Sequence, residues 1–199
     1  MRTILGVTAV VALTGWAAGQ PQPAPPEPRY GVNPLIEAYP QTTPQAALGS
    51  VLKAVDKGRW EYLTAQLLDP VFVDKRVGER ATKLTPEVER ELLADRDARR
   101  NGPAETRLPE DPTAFAEVVR REATQRAFRQ FTQAVRATLA ENPDHVKELR
   151  RFALNGAFSA GGEVAQATLP DVKDRAVYFR KVNDRWHVED RQKPEPEKK

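Results

Sequence analysis

Alternation of apolar and polar residues is sharpest near the end of the chain. From Arg175 to Arg191 (RAVYFRKVNDRWHVEDR) it runs on both sides of Asn183-Asp184. That pair can adopt the positive φ angles of a two-residue hairpin turn. With those residues as the turn, Lys181 faces Trp186, Phe179 faces Val188 and Val177 faces Asp190 on one side of the sheet. Arg180 faces His187 and Tyr178 faces Glu189 on the other. Side chains alternate with period two, so this register gathers Val177, Phe179, Trp186 and Val188 into one apolar patch and turns His187 and Glu189 toward solvent. Upstream, Glu163 to Leu169 alternates likewise, with Ala165, Ala167 and Leu169 on one side. Gly161-Gly162 and Pro170 bound it. The pattern predicts at least three antiparallel strands with one face needing cover.

Before the sheet the period changes to that of helices. Thr43-Pro44 is an N-cap followed by proline at the first helical position. Ala47, Leu48, Val51, Leu52 and Val55 form a stripe, and Gly58 stops it. Trp60, Leu63, Leu67 and Leu68 predict a second short helix ending near Asp69-Pro70. Val71 to Val77 (VFVDKRV) is β-branched and alternating, which predicts a strand. Thr85-Pro86-Glu87 predicts a helix start, running to about Arg100 with Val88, Leu92 and Leu93 as apolar contacts, and Asn101-Gly102-Pro103 breaks it. Asp111-Pro112 opens the longest helix, to about Glu141. Its stripe of Phe115, Val119, Ala123, Ala127, Phe131, Val135 and Leu139 is expected to cover the sheet. Asn142-Pro143-Asp144 ends it, and His145 to Leu154 predicts a short helix with Val146, Leu149 and Phe152 inward.

The expected fold class is therefore α+β, with N-terminal helices and a long helix packed on a curved antiparallel sheet. Residues 43–191 form this single domain, with residues 76–111 as a charged helical excursion. Residues 192–199 are expected as a charged disordered tail. Residues 20–42 are a proline-rich spacer and arm; the run QPQPAPPEP favours an extended stalk over a ligand for a proline-recognising domain.

The N-terminus changes the picture by adding a compartment. Arg2 is a minimal positive region, Ile4 to Leu13 an apolar run, and Ala17-Ala18-Gly19 a cleavage site of small residues. Residues 1–19 are expected to be a cleavable signal peptide that exports the chain to the periplasm or the extracellular space. The apolar run is short for the roughly 30 Å of a bilayer core, and no later segment is expected to span a membrane once the signal is removed.

The chain has no cysteine, which removes disulfides, thiolate metal sites and a cysteine nucleophile. Its formal charge is +3, with acidic and basic residues interspersed, as on a solvated surface. Arg120, Arg121, Arg126, Arg129, Arg136, Arg150 and Arg151 are expected as the wet faces of helices, and nucleic acid is not expected as a partner. His145 and His187 are the only two histidines. Neither has a second histidine at ligand spacing, so no metal is expected. No serine stands in a nucleophile elbow and no glycine run forms a phosphate loop. No cofactor is expected.

Thr43 to Val77, with two short helices and a strand, and Glu163 to Arg191, with its aromatic strand, Asn-Asp turn and Arg-Trp-His-Val-Glu-Asp ending, resemble the nuclear-transport-factor-two-like α+β cone. The long middle helices depart from the compact family pattern. The resemblance implies a cone whose interior is either a pocket or a filled core, since the family holds isomerases, cyclases and dehydratases as well as binding modules. Its enzymes place an acid or base, commonly Asp or His, beside an apolar pocket. By that implication Phe179, Trp186 and Val188 are the pocket candidates. Asp190 is the one acid-base candidate, because it shares the face of Trp186. A partly buried carboxylate there has a raised pKa; the plainer reading is a carboxylate satisfied by backbone or arginine at a strand end.

The function expected is an exported, non-catalytic binding or interaction module. Its partner is a protein or a small apolar ligand, and a homodimer is allowed. A cone-type enzyme using metal-free general acid-base chemistry and a cell-envelope structural protein are the alternatives. Whether Phe179 and Trp186 fill or line a cavity discriminates between module and enzyme.

Overall fold

The computed structural model describes residues 27–99 and 108–190. The expected signal peptide, the proline-rich run through Pro26, the Asn101-Gly102-Pro103 break and the C-terminal tail lie outside the described residues.

Helix α1 spans Pro44–Asp56, and the Thr43 side chain caps it by accepting from the Ala46 N–H at 3.1 Å. Gly58 ends it with φ +63°. The Gly58 N–H donates to the Val55 carbonyl at 3.0 Å and the Arg59 N–H to the Ala54 carbonyl at 2.8 Å, the paired bonds of a Schellman cap. Helix α2 is a single turn, Trp60–Tyr62, and runs into a π-turn over Leu63–Leu67. The Leu68 N–H closes the π-turn on the Leu63 carbonyl at 3.1 Å, and all five of its residues are buried.

Helix α3 follows, Pro70–Arg99, with Pro86 inside it. This corrects two expectations. Val71–Val77 is not a strand, and Thr85-Pro86-Glu87 does not start a helix. The deciding pattern is longer than either local signal. Val73, Val77, Leu84 and Val88 recur at helical spacing and pack on Phe115, Val119, Ala123, Ala127, Phe128 and Phe131 of helix α4, Pro112–Glu141. That burial outweighs the proline's missing donor. Residues 76–99, expected as a charged excursion, are thus the greater part of one arm of a helical hairpin. Arg126 of α4 joins Glu91 of α3 across it at 2.6 Å. Helix α5 is Pro143–Asn155, with Phe152 buried.

The sheet is an antiparallel meander of β1 Ala157–Gly161, β2 Val164–Leu169, β3 Val172–Val182 and β4 Arg185–Val188, in that order. The fold is α+β, as expected; β1 is an addition to the expected strands. Phe179 pairs with Val188, Arg180 with His187 and Lys181 with Trp186, as the alternation requires. Asn183 and Asp184 turn the chain with φ +49° and +59°. Leu68 bridges Val188 in parallel, and the Asp69 N–H donates to the Val188 carbonyl at 2.9 Å. The free edge of β4 is thereby covered.

The apolar face of the sheet carries Ala165, Ala167, Leu169, Val177, Phe179 and Trp186, and it packs on Ala47 and Leu48 of α1 and Phe152 of α5. The long helix α4 was expected in that position. Its stripe from Phe115 to Phe131 is taken up by α3, Val135 and Leu139 pack toward Val51, Tyr62 and Leu63, and the shorter helices cover the sheet.

Candidate functional site

The face that carries the pocket candidates is packed. Phe179 is 0% and Trp186 6% exposed, and both belong to one cluster with Leu48 and Phe152. Val188 is half-buried against the same cluster. Asp190 lies beyond the end of β4 and is exposed. Partial desolvation raises its pKa, and Arg76 opposes the rise. The structure brings Phe179, Trp186 and Val188 together as packing and leaves Asp190 outside.

The opposite face of the hairpin is not solvated, which corrects the expectation for His187. The register is right, but a second layer covers that face. His187 is buried together with Tyr178, beneath the π-turn and the extended segment after Pro40. Gln41 reaches in from that segment. Its Nε2 donates to the Gln66 carbonyl at 3.0 Å and the Trp186 carbonyl at 2.8 Å, and stands 3.3 Å from His187 Nδ1. The Trp186 N–H donates to the Gln41 carbonyl at 2.9 Å. The end of a helical segment leaves carbonyls without partners. Gln41 satisfies that of Gln66, and Arg29 Nη1 satisfies that of Ala65 at 2.6 Å. Arg180, expected opposite His187 as its partner, bonds Glu189 at 3.1 Å and lies 3.8 Å from Asp69.

Arg185 completes this polar layer. Its guanidinium donates to Oε1 of Gln41 and, at 3.4 Å, to Oε1 of Gln66. Among the described residues no carboxylate pairs with it, and its Nε is buried without a partner. Burial lowers its pKa. The His187 pKa is pushed down to about 4, by burial first and then by the charges of Arg185 and Arg29. The imidazole held on these partners is 5% exposed.

Two open hollows flank α4. The larger, about 960 Å³, lies between the Tyr30-Gly31 turn and the N-terminal half of α4. Its charges are mixed, and Arg120 is already held by Glu117 at 2.7 Å. The second, about 550 Å³, is bounded by three segments distant in sequence: Val32–Leu35 of the arm, Gly58–Tyr62, and Arg129–Arg136 of α4. The arm is fixed over it by local bonds. Gln66 Nε2 donates to the Val32 carbonyl at 2.8 Å and the Leu35 N–H to the Tyr62 hydroxyl at 3.0 Å. Tyr30 stacks on Phe128 with ring centroids 4.5 Å apart.

Three guanidiniums line this second groove. The Schellman turn at Gly58 delivers Arg59. Arg129 and Arg136 lie seven residues apart, two turns along one face of α4. Glu61 is the one acidic residue among its lining. Arg129 reaches Glu122 at 3.5 Å, but Arg126 already holds that carboxylate at 3.0 Å. Arg59 and Arg136 have no ion pair among the described residues. Between the two α4 arginines, Thr132 is buried and its hydroxyl has no hydrogen-bond partner. Elsewhere on α4, Thr124 and Thr138 donate to the carbonyls of Arg120 and Ala134 at 2.8 and 2.9 Å. Trp60, Val32 and Leu35 supply the apolar wall.

No family model, curated protein or solved structure matches the chain. Among the described residues no cluster of three or more potential metal ligands occurs, and no helix is long and apolar enough to cross a membrane. Reading α4 as a single stripe plus a wet face missed the groove. The signal within reach was Phe128 and Thr132, which widen the buried face beyond the stripe and call for a cover on that side.

Proposed function

We propose that the protein is an exported, non-catalytic binding module of cone type that receives its ligand in the groove between the arm and α4. The observation that carries this reading is the division between closed and open space. The interior where an enzyme of this type would hold its acid or base is filled by Phe179 and Trp186, whereas the groove offers arginines and an aromatic wall. Such a lining orients a ligand and supplies no paired acid and base.

Two measurements test the reading. Mass spectrometry of the exported protein should give a chain beginning after Gly19; a mature chain retaining Met1 to Gly19 would contradict cleavage. Backbone NMR titration with a library of small molecules should shift amides of residues 32–35, 58–62 and 129–136, with every ligand recovered chemically unchanged. A ligand converted by the wild-type chain, but not by His187→Gln or Asp190→Asn variants of unchanged melting temperature, would overturn the module reading in favour of an enzyme.

A further inference from the structure

Resting on that reading, we infer that the groove selects a small organic anion: an acidic group held by Arg129 and Arg136, on a flat apolar body seated against Trp60. Each part has its own support. Guanidiniums present planar forks of donors matched to carboxylate and phosphate oxygens. Three of them line one hollow with a single carboxylate beside them, so the site is short of negative charge. The apolar requirement comes from Trp60, half-buried, and from Leu35, 46% exposed although it is a large aliphatic residue. The hollow, about 550 Å³, lies within the range of small-molecule sites, roughly 300–1,000 Å³. A π-turn directly after Tyr62 fits the placement, since π-bulges are frequent at functional sites.

The other clusters lead less far. The larger hollow has balanced charges, and the His187 layer is closed to solvent.

The test uses 2-naphthoate, its neutral analogue 2-naphthamide and inorganic phosphate, with the full mature chain and tryptophan fluorescence or calorimetry as readout. 2-Naphthoate should bind at least tenfold more tightly than 2-naphthamide, and added phosphate should compete with it. Arg129→Gln combined with Arg136→Gln should weaken 2-naphthoate at least tenfold without lowering the melting temperature. A role in folding alone would not separate those two readouts. Equal affinity for the acid and the amide, or undiminished binding in the double arginine variant, would overturn the proposal. So would a groove that binds an acidic peptide and not 2-naphthoate. These outcomes remove the ligand class while leaving the module reading intact, which falls only on turnover.

Discussion

Trp186→Ala is expected to lower the unfolding free energy by about 3–5 kcal/mol, the range for removing a large aromatic from a packed core. Trp186 is 6% exposed and shares a cluster with Leu48 of α1, Phe152 of α5 and Phe179 of β3. Deleting it forfeits the transfer energy of the ring and leaves a cavity where three elements meet, each held in place by the others. Trp186 also joins two layers, because its backbone N–H donates to the Gln41 carbonyl and its backbone carbonyl accepts from Gln41 Nε2. Loosening β4 therefore disturbs the polar layer on the far side. For a domain of ordinary stability the loss is a large fraction of the total. Arg120→Ala is the contrasting control. Its side chain is 73% exposed and pairs only with an exposed Glu117, so its effect should be below about 0.5 kcal/mol. Urea unfolding of the mature chain compares the two. A Trp186→Ala variant as stable as the parent would mean that the sheet does not rest on α1 and α5 through this residue.

The parts of the fold legible in the sequence are those whose signals are local. Asn183-Asp184 fixes the hairpin register because few residue pairs accept two successive positive φ angles. Thr43-Pro44 and Gly58 mark both ends of α1 because capping chemistry is a matter of a few adjacent residues. Val71–Val77 failed for a physical reason. Over seven residues, Val71, Val73 and Val77 fit a strand about as well as a helix. Only the continuation through Leu84 and Val88, facing a second helix of matching length, decides the matter. Pro86 misled because its usual cost is assessed on a helix alone, whereas here α4 supports the helix on both sides of it. His187 failed differently. Alternation says which residues share a face; it does not say whether another layer covers that face. The groove was invisible because Val32, Arg59 and Arg136 share no local pattern. They meet only when the arm crosses the π-turn onto α4, and that crossing depends on side chains such as Arg29 and Gln41 satisfying carbonyls far along the chain.

The pH dependence of stability should carry the mark of His187. Burial and the positive charges of Arg185 and Arg29 hold its folded pKa near 4, against about 6.5 in an unfolded chain. Between those values the unfolded state binds the proton and the folded state does not, so stability falls as the pH is lowered. Above pH 6.5 the full contribution is present, and it is lost progressively down to about pH 4. The separation corresponds to roughly 3 kcal/mol. The groups around the ring supply no counter-charge to soften this. Gln41 is neutral, the backbone of Gln66 and Leu68 is neutral, and Arg185 is itself a cation without a carboxylate among the described residues. Protonation would put a second positive charge into a layer already short of negative ones. His187→Gln keeps a side chain able to accept from Gln41 but cannot take up a proton. The variant should lose some stability at neutral pH and lose much less of the remainder between pH 6.5 and pH 4. Denaturant melts of parent and variant at several pH values in that window provide the comparison. Parallel pH profiles would show that His187 is not the group whose protonation unfolds the layer between the hairpin and the π-turn.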